Sequence, residues 1–321
     1  MINNHMFRMF LGENVNDDST ARVNIYGGKY ETKLKTDKKA WTEIAEKAVE
    51  FGYKSVLIEV ADGVKFKSHP EIAVEGAWEV EELKEELAKL RNMGLTPYPK
   101  LNFSTAHDAW LGIYSRMVST KKYYEVAREL IHEVIDIFDK PEIFNLGLDE
   151  ENCKSQVRYD YVCYRQFELY WHDYKFFLDC VREKGVRPWV AVDPYIVDKE
   201  KFLEYTDKDV VISPLYTGPF YEDASIRMVR PTDDPKNPNY EAYTRFKSFT
   251  DLPALGYEVI PTYSSLNKRL RVPRTVKYVN ENLPEDKVKA FLIAPQLSTV
   301  MENRYRFFEE FSIIKHECSS K

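Results

Sequence analysis

Short β-rich runs alternate with amphipathic helical stretches eight times along the chain. This alternation is typical of a parallel sheet whose strands are joined by helices. The predicted strands cover residues 6–11, 55–60, 96–103, 143–148, 188–192, 210–215, 258–263 and 289–294. The predicted helices cover residues 38–51, 80–93, 122–139, 160–184, 199–206, 239–250, 274–282 and 302–316. Eight strand–helix units are the number that closes a (β/α)8 barrel, so the sequence predicts a TIM barrel.

The helix signals support this reading independently of the strands. In the third helix the apolar residues share one face of a 3.6-residue period, and the charged residues share the other. That apolar face consists of Val126, Leu130, Ile131, Val134, Ile137 and Phe138. Four glycines follow predicted helices at points where a left-handed residue is favoured, namely Gly52, Gly94, Gly185 and Gly256.

The chain of 321 residues is long enough for one or two domains, but no linker interrupts the alternation. One loop of unusual length, residues 216–239, follows the sixth strand. A doubly wound open sheet is the rival fold, and its Gly-x-Gly-x-x-Gly motif does not follow the first strand. We therefore predict residues 1–321 as a single (β/α)8 domain, α/β in class, with its site at the carboxyl ends of the strands.

Charge and composition exclude several classes of protein. The 52 acidic and 46 basic residues are interspersed, so no basic stripe is present for a nucleic-acid partner. The longest apolar runs are far shorter than the ~20 residues of a membrane span. The four cysteines form no Cys-x-x-Cys motif and are interpreted as free thiols. We expect a soluble protein, and both a cytoplasmic location and secretion with removal of a signal peptide are open.

The strongest local feature is an apolar strand that ends in three consecutive carboxylates, Asp149, Glu150 and Glu151. Successive residues at a strand end point in different directions, so Asp149 and Glu150 are predicted to serve different roles. Repulsion between them is expected to raise the pKa of the drier one, as a general acid requires. Acids in this position also cap helices, and Glu151 is the one that best fits that role.

His107 lies just after the third strand and is predicted to orient Glu150 from the neighbouring strand. Other polar and aromatic residues are predicted to close the remaining strands. Aromatic rings stack on sugars, while carboxylates and amides bind their hydroxyls. The predicted substrate-binding residues at the strand ends are Asn102, Asp193, Tyr195, Tyr216 and Tyr263. A carbohydrate is thus the expected partner, and no metal or cofactor is predicted.

Two segments resemble glycoside hydrolase family 20, the β-N-acetylhexosaminidases. Residues 143–151 are similar to the family's His-x-Gly-Gly-Asp-Glu strand end, and residues 99–107 are similar to its strand that ends in a Pro-Gly-His turn. The resemblance implies a barrel of the same order. It also implies that the 2-acetamido group of the substrate is the nucleophile, an exception to the two-carboxylate rule. Glu150 would then be the general acid, Asp149 would hold the acetamide, and His107 would support Glu150.

The sequence departs from the family motifs in three places. Asn145 stands where the motif has histidine, and Leu148 stands where it has its second glycine. After the eighth strand the resemblance implies a Trp-x-Glu that binds substrate, and here Glu302 is present for that role without the tryptophan. The aromatic pocket around the acetamide is therefore not evident in the sequence.

Three alternatives stay open on the sequence alone. A two-carboxylate glycosidase would use Glu150 as acid and Asp193 or Glu59 as nucleophile or base. A metal-dependent enzyme would use Glu59, His107, Asp149 and Asp193 as ligands. A barrel that binds sugar without turnover is the third alternative.

Overall fold

The computed structural model of the chain describes residues 4–15, 30–157, 159, 162–216, 232, 234–264 and 272–319, with side chains described as far as residue 313. Most of the long loop predicted at residues 216–239 lies outside the described residues. So do the first two residues of the helix predicted at 160–184.

Eight parallel strands form one sheet, and helices connect them. The strands are β1 His5–Phe10, β2 Ser55–Glu59, β3 Thr96–Lys100, β4 Ile143–Asn145, β5 Arg187–Ala191, β6 Val211–Ser213, β7 Thr262–Ser264 and β8 Phe291–Ala294. Their order in the sheet is β6-β5-β4-β3-β2-β1-β8-β7. Bridges between Ile212 and Val259 and between Leu215 and Thr262 join β6 to the β7 side. The sheet therefore closes into the predicted (β/α)8 barrel.

The helices lie on the outside of this sheet. They are α1 Lys38–Glu50, α2 Val80–Asn92, α3 Lys121–Ile137, α4 Phe167–Arg182, α5 Asp193–Val197, α6 Lys199–Tyr205, α7 Tyr240–Ala254, α8 Val272–Asn282 and α9 Arg304–Ser319. The predicted apolar face of α3 is buried throughout. The four glycines predicted to end helices all have positive φ, between 71° and 95°. No described helix is both long enough and apolar enough to cross a membrane.

The core has two layers that follow the alternation of side chains along each strand. One layer packs between the sheet and the helices. The other, here called the interior cluster, fills the barrel and consists of Met6, Leu57, Tyr98, Ile143, Trp189, Val211, Ile260, Ala290, Leu292 and Ala294. Counting upward by two from Ile143 along β4 gives Asn145, the last residue of the strand, on the same inward side. This alternation places the carboxyl end of β4 over the interior of the barrel.

Candidate functional site

A charged layer lies directly above the apolar interior cluster. Arg8, Glu59 and Lys100 stand two residues beyond Met6, Leu57 and Tyr98 on β1, β2 and β3. Lys100 Nζ lies 2.7 Å from Glu59 Oε2, and the exposed fractions of the two side chains are 10% and 1%. Arg8 donates a 2.9 Å hydrogen bond to the carbonyl oxygen of Pro295. Buried charges are stable only when they are paired, and the partners of these residues hold them in place. The charged layer thus lies between the apolar interior and the acids that follow β4.

The chain turns sharply at the end of β4. Gly147, Leu148 and Glu150 have φ values of 68°, 63° and 57°, all in the left-handed region. Leu148 thus adopts a conformation that glycine adopts easily, at the position where the family motif has glycine. The strand itself ends at Asn145, three residues before its predicted end. The turn that follows brings both Asp149 and Glu150 close to His107.

Asp149 is held by two neighbours from the β3 side. Asn102 Nδ2 donates a 2.8 Å hydrogen bond to Asp149 Oδ1, and His107 Nε2 lies 3.6 Å from Asp149 Oδ2. Burial alone would raise the pKa of Asp149, but the charges of His107 and Lys100 and the bond from Asn102 lower it to about 2. Asp149 is less exposed than Glu150, at 29% against 55% of the side chain. The expectation that the drier acid has a raised pKa is wrong, because nearby cations outweigh burial and repulsion.

Glu150 contacts both flanking strands. His107 Nε2 lies 3.3 Å from Glu150 Oε2, on the β3 side. On the β5 side, the backbone N–H of Glu150 donates a 3.1 Å hydrogen bond to Asp193 Oδ1. His107 therefore bridges the two acids, as adjacency of strands three and four predicts. Burial would lower the pKa of His107, yet Asp149 and Glu150 together raise it, which favours the imidazolium that donates to them.

Glu151 lies below the mouth in a buried network. Its carboxylate accepts hydrogen bonds from the backbone N–H of Thr105, at 3.2 Å, and from that of Arg165, at 2.9 Å. Arg165 Nη1 donates a third bond of 2.7 Å, and the exposed fraction of both side chains is 2%. Asp173 binds Arg165 Nε at 2.7 Å. Glu151 thus ties the loop after β3 to the loop after β4.

The structure brings Asn102, His107, Asp149, Glu150 and Asp193 together. Asn102 has a further link, since its Oδ1 accepts from the backbone N–H of Leu148 at 3.2 Å. Asn102 and Asp193 therefore contact the acids themselves, although both were predicted as substrate-binding residues.

The predicted tyrosines lie in the outer layer of the core. Tyr195, Tyr216 and Tyr263 all belong to the layer between the sheet and the helices. The ring of Tyr195 packs 5.4 Å from that of Phe202, and the ring of Tyr216 packs 5.6 Å from that of Phe246. Tyr263 is fully buried in β7. Its ring faces outward because Ile260, three residues earlier, belongs to the interior cluster.

Glu302 is exposed in the short 3-10 turn Met301–Asn303 that precedes α9. The predicted role of Glu302 in substrate binding stays a prediction.

Sequence reasoning missed three charged residues at this face. Arg8 and Lys100 carried a usable signal, because each is a charge inside an otherwise apolar strand pattern. Arg245 carried none. It lies in α7 four residues after Glu241, which looks like an ordinary surface pair, yet its guanidinium binds both oxygens of Asp193 at 2.7 and 3.2 Å.

The proposed metal ligands are engaged by other groups. Lys100 holds Glu59, Arg245 holds Asp193, and His107 lies between Asp149 and Glu150. Within the described ranges, no three His, Cys, Asp or Glu side chains are grouped so as to hold a metal ion. Cys153, Cys163 and Cys180 are free thiols.

Fold and site together define a (β/α)8 barrel whose mouth carries two carboxylates bridged by a histidine. No protein-family model and no curated protein matches the sequence. Solved structures do match it. They include the β-N-acetylhexosaminidase of Bacteroides fragilis, with a TM-score of 0.63 at 12% identity over 98% of this chain. Another is dispersin B, with a TM-score of 0.59 at 13% identity over 88% of this chain and 95% of that one.

A catalytic module of glycoside hydrolase family 20 from the pneumococcal exo-β-D-N-acetylglucosaminidase is also similar. Its TM-score is 0.60 at 16% identity, over 98% of this chain and 83% of that one. The present chain spans 65% of the length of the Bacteroides fragilis protein. These likenesses confirm the predicted family 20 type of barrel as a fold, in a divergent sequence.

Proposed function

We propose that this barrel is a retaining glycoside hydrolase that acts on 2-acetamido sugars by substrate-assisted catalysis. The observation that carries the proposal is the arrangement of Asp149 and Glu150, which share His107 but differ in their other partners and in exposure. Asp149 is fixed from the β3 side by Asn102. Glu150 is more exposed and contacts both the β3 and the β5 side. Two carboxylates in unlike surroundings suit two unlike tasks.

In the proposed first step, the protonated form of Glu150 gives its proton to the glycosidic oxygen while the acetamide oxygen attacks the anomeric carbon. The bond to the leaving group breaks and a cyclic oxazolinium forms, whose positive charge lies next to Asp149. The low pKa of Asp149 keeps it ionised for that task. In the second step Glu150 takes a proton from water, which opens the ring with net retention.

Contacts within the protein weigh against the two-carboxylate alternative. Asp193 is bound through both oxygens by Arg245, and Glu59 is paired with Lys100. A nucleophilic carboxylate has to reach the anomeric carbon, and a cation on both oxygens opposes this. The same pairs weigh against Glu59 and Asp193 as metal ligands.

A panel of chromogenic glycosides, with and without a 2-acetamido group, tests the proposal over a range of pH. We expect hydrolysis of the 2-acetamido substrates only. Equal cleavage of plain glucosides would replace the proposal with the two-carboxylate mechanism. Binding of a 2-acetamido sugar without turnover would favour the alternative of a sugar-binding barrel.

A further inference from the structure

The carboxylate of Asp193 lies between the guanidinium of Arg245 and the backbone of Glu150. Asp193 Oδ1 accepts from Arg245 Nη2 at 2.7 Å and from the Glu150 N–H at 3.1 Å. Asp193 Oδ2 accepts from Arg245 Nη1 at 3.2 Å. Two parallel bonds from one guanidinium fix both the position and the orientation of a carboxylate. The acceptor of the Glu150 N–H is thus itself rigidly held.

The backbone of Glu150 needs such a restraint. Its φ of 57° is left-handed, and a residue with a Cβ is unfavourable in that region. Rotation of this residue towards the ordinary extended region would carry its carboxyl group away from His107, which lies 3.3 Å away in the structure. The hydrogen bond from the Glu150 N–H is therefore in a position to decide where the carboxyl group lies.

The pair is well placed to act as a restraint because water has little access to it. The exposed fraction is 10% for the Asp193 side chain and 19% for that of Arg245, compared with 55% for Glu150. Glu241, one turn earlier in α7, adds a 3.3 Å contact to Arg245 Nε. A protected ion pair thus borders the more exposed side chain of Glu150.

We infer that Asp193 and Arg245 are positioning residues, which hold the backbone of Glu150 so that its carboxyl group stays beside His107 at the mouth of the barrel. The inference rests on the proposed function only in that Glu150 is taken as the proton donor. Asp193 then acts through Glu150 and is neither a nucleophile nor a ligand of the sugar. Arg245 is a residue of α7, and no residue of that helix was predicted at the site.

The first test uses the full chain and needs no substrate. Titration of the His107 ring by NMR reports on Glu150, because that carboxylate contributes to the raised pKa of His107. In Arg245→Met we expect the pKa of His107 to fall by roughly one unit, the scale of a close charge contact. Arg182→Met is the matched control. It removes another two-bond pair, with Asp209 at 2.6 and 2.9 Å, at the opposite end of the barrel, and should leave His107 unchanged.

The second test measures activity. It asks whether the variant loses kcat only where the leaving group needs a proton. In Arg245→Met we expect kcat for a poor leaving group to fall by about 10²-fold, the scale of a small misplacement of a catalytic group. An activated phenolate should be affected much less, with little change in KM. Arg245→Lys, which keeps the charge but not the two-bond geometry, should show the same pattern more weakly and serves if Arg245→Met does not fold.

The outcomes separate this inference from the proposed function. An unchanged His107 titration in a folded Arg245 variant overturns the positioning role, whatever the activity. An equal loss of kcat for both kinds of leaving group also overturns it, because a general structural defect has that effect. If the unaltered protein cleaves no 2-acetamido glycoside, the proposed function fails, and the His107 titration still decides the inference.

Discussion

Gly147 and Asn102 approach each other so closely that a Cβ at position 147 would lie 2.0 Å from Asn102 Oδ1. The same Asn102 side chain donates to Asp149 and accepts from the backbone N–H of Leu148. The absence of a side chain at Gly147 therefore allows the loop after β3 to support Asp149 directly.

This contact predicts the effect of Gly147→Ala. The new methyl group must displace Asn102, and the φ of 68° at this position also disfavours alanine. We expect the free energy of unfolding to fall by about 1–3 kcal/mol, the usual cost of overpacking. Chemical denaturation measures it. Addition of Asn102→Ala should recover part of that stability without recovering activity, because Asp149 still lacks its hydrogen bond. Full recovery of activity in the double variant would contradict the role given to Asn102.

The buried pair of Glu151 and Arg165 predicts a second, purely structural effect. In Glu151→Gln the arginine keeps Asp173 but loses one of its two buried charged partners, and breaking a buried pair costs up to about 3–5 kcal/mol. We expect a fall of about that size in the free energy of unfolding. Glu281→Gln is the control, since its pair with Lys277 is more than half exposed on both sides and should cost less than about 1 kcal/mol. Similar losses in the two variants would argue against the network.

The sequence predicts the barrel well because strand and helix periodicities are local and repeat eight times. The direction of individual side chains is harder to predict. Both faces of a barrel strand are apolar, so nothing in the pattern near Tyr263 shows which face is the inner one. A one-residue difference decides whether that ring faces the barrel interior or the helices. The structure has Ile260 inside and Tyr263 outside.

The proximity of His107 to the acids after β4 was predictable from the sequence. These residues follow neighbouring strands, and neighbouring parallel strands end side by side. Arg245 was not predictable, because it reaches Asp193 from a helix remote in sequence. The pKa of the drier acid was predicted wrongly for a similar reason. The charges of His107 and Lys100 lower the pKa of Asp149, and the distances between these groups cannot be read from their spacing in the sequence.

The His107 cluster predicts a pH dependence of stability. The folded-state pKa of His107 is raised above 6.5. Its contribution to stability is therefore fully present below pH 6.5 and is lost as the pH rises through the raised value. We expect the difference in unfolding free energy between the unaltered protein and His107→Gln to shrink between pH 6 and pH 9, as seen in urea titrations. A difference that grows with pH would contradict the imidazolium assignment.

Asp149 predicts the opposite trend in acid. Its folded-state pKa of about 2 lies below the ordinary 3.8, so its contribution is present above pH 3.8 and is lost as the pH falls through about 2. A pKa unit corresponds to about 1.4 kcal/mol, so roughly 2 kcal/mol is at stake. Asp149→Asn should remove this part of the acid sensitivity. If acid unfolding of that variant matches the unaltered protein, the ion pairs of Asp149 are not formed in solution.

Glu150→Gln tests the general acid. Because general acid catalysis typically contributes 10²–10⁴-fold, we expect a loss of that size for 2-acetamido substrates with poor leaving groups. Substrates with an activated phenolate need less protonation and should lose less. Glu125→Gln, at a half-exposed position on α3, is the isosteric control and should leave kcat unchanged. An equal loss with both leaving groups would assign Glu150 to a different task.

Asp149→Asn tests the proposed role of Asp149 in holding the acetamide, and its signature should differ from that of Glu150→Gln. The variant keeps the shape of Asp149 but removes the negative charge next to the developing oxazolinium. Loss of one such electrostatic contact typically costs about 10²–10³-fold in kcat. The loss should be equal for good and poor leaving groups, because it weakens nucleophilic attack rather than departure of the leaving group. Asn102→Ala should show the same even loss more weakly, since it removes the hydrogen bond that orients Asp149. Initial rates on a matched pair of phenolate and alkyl 2-acetamido glycosides measure both. If the loss in Asp149→Asn instead depends on the leaving group, the two acids have exchanged roles.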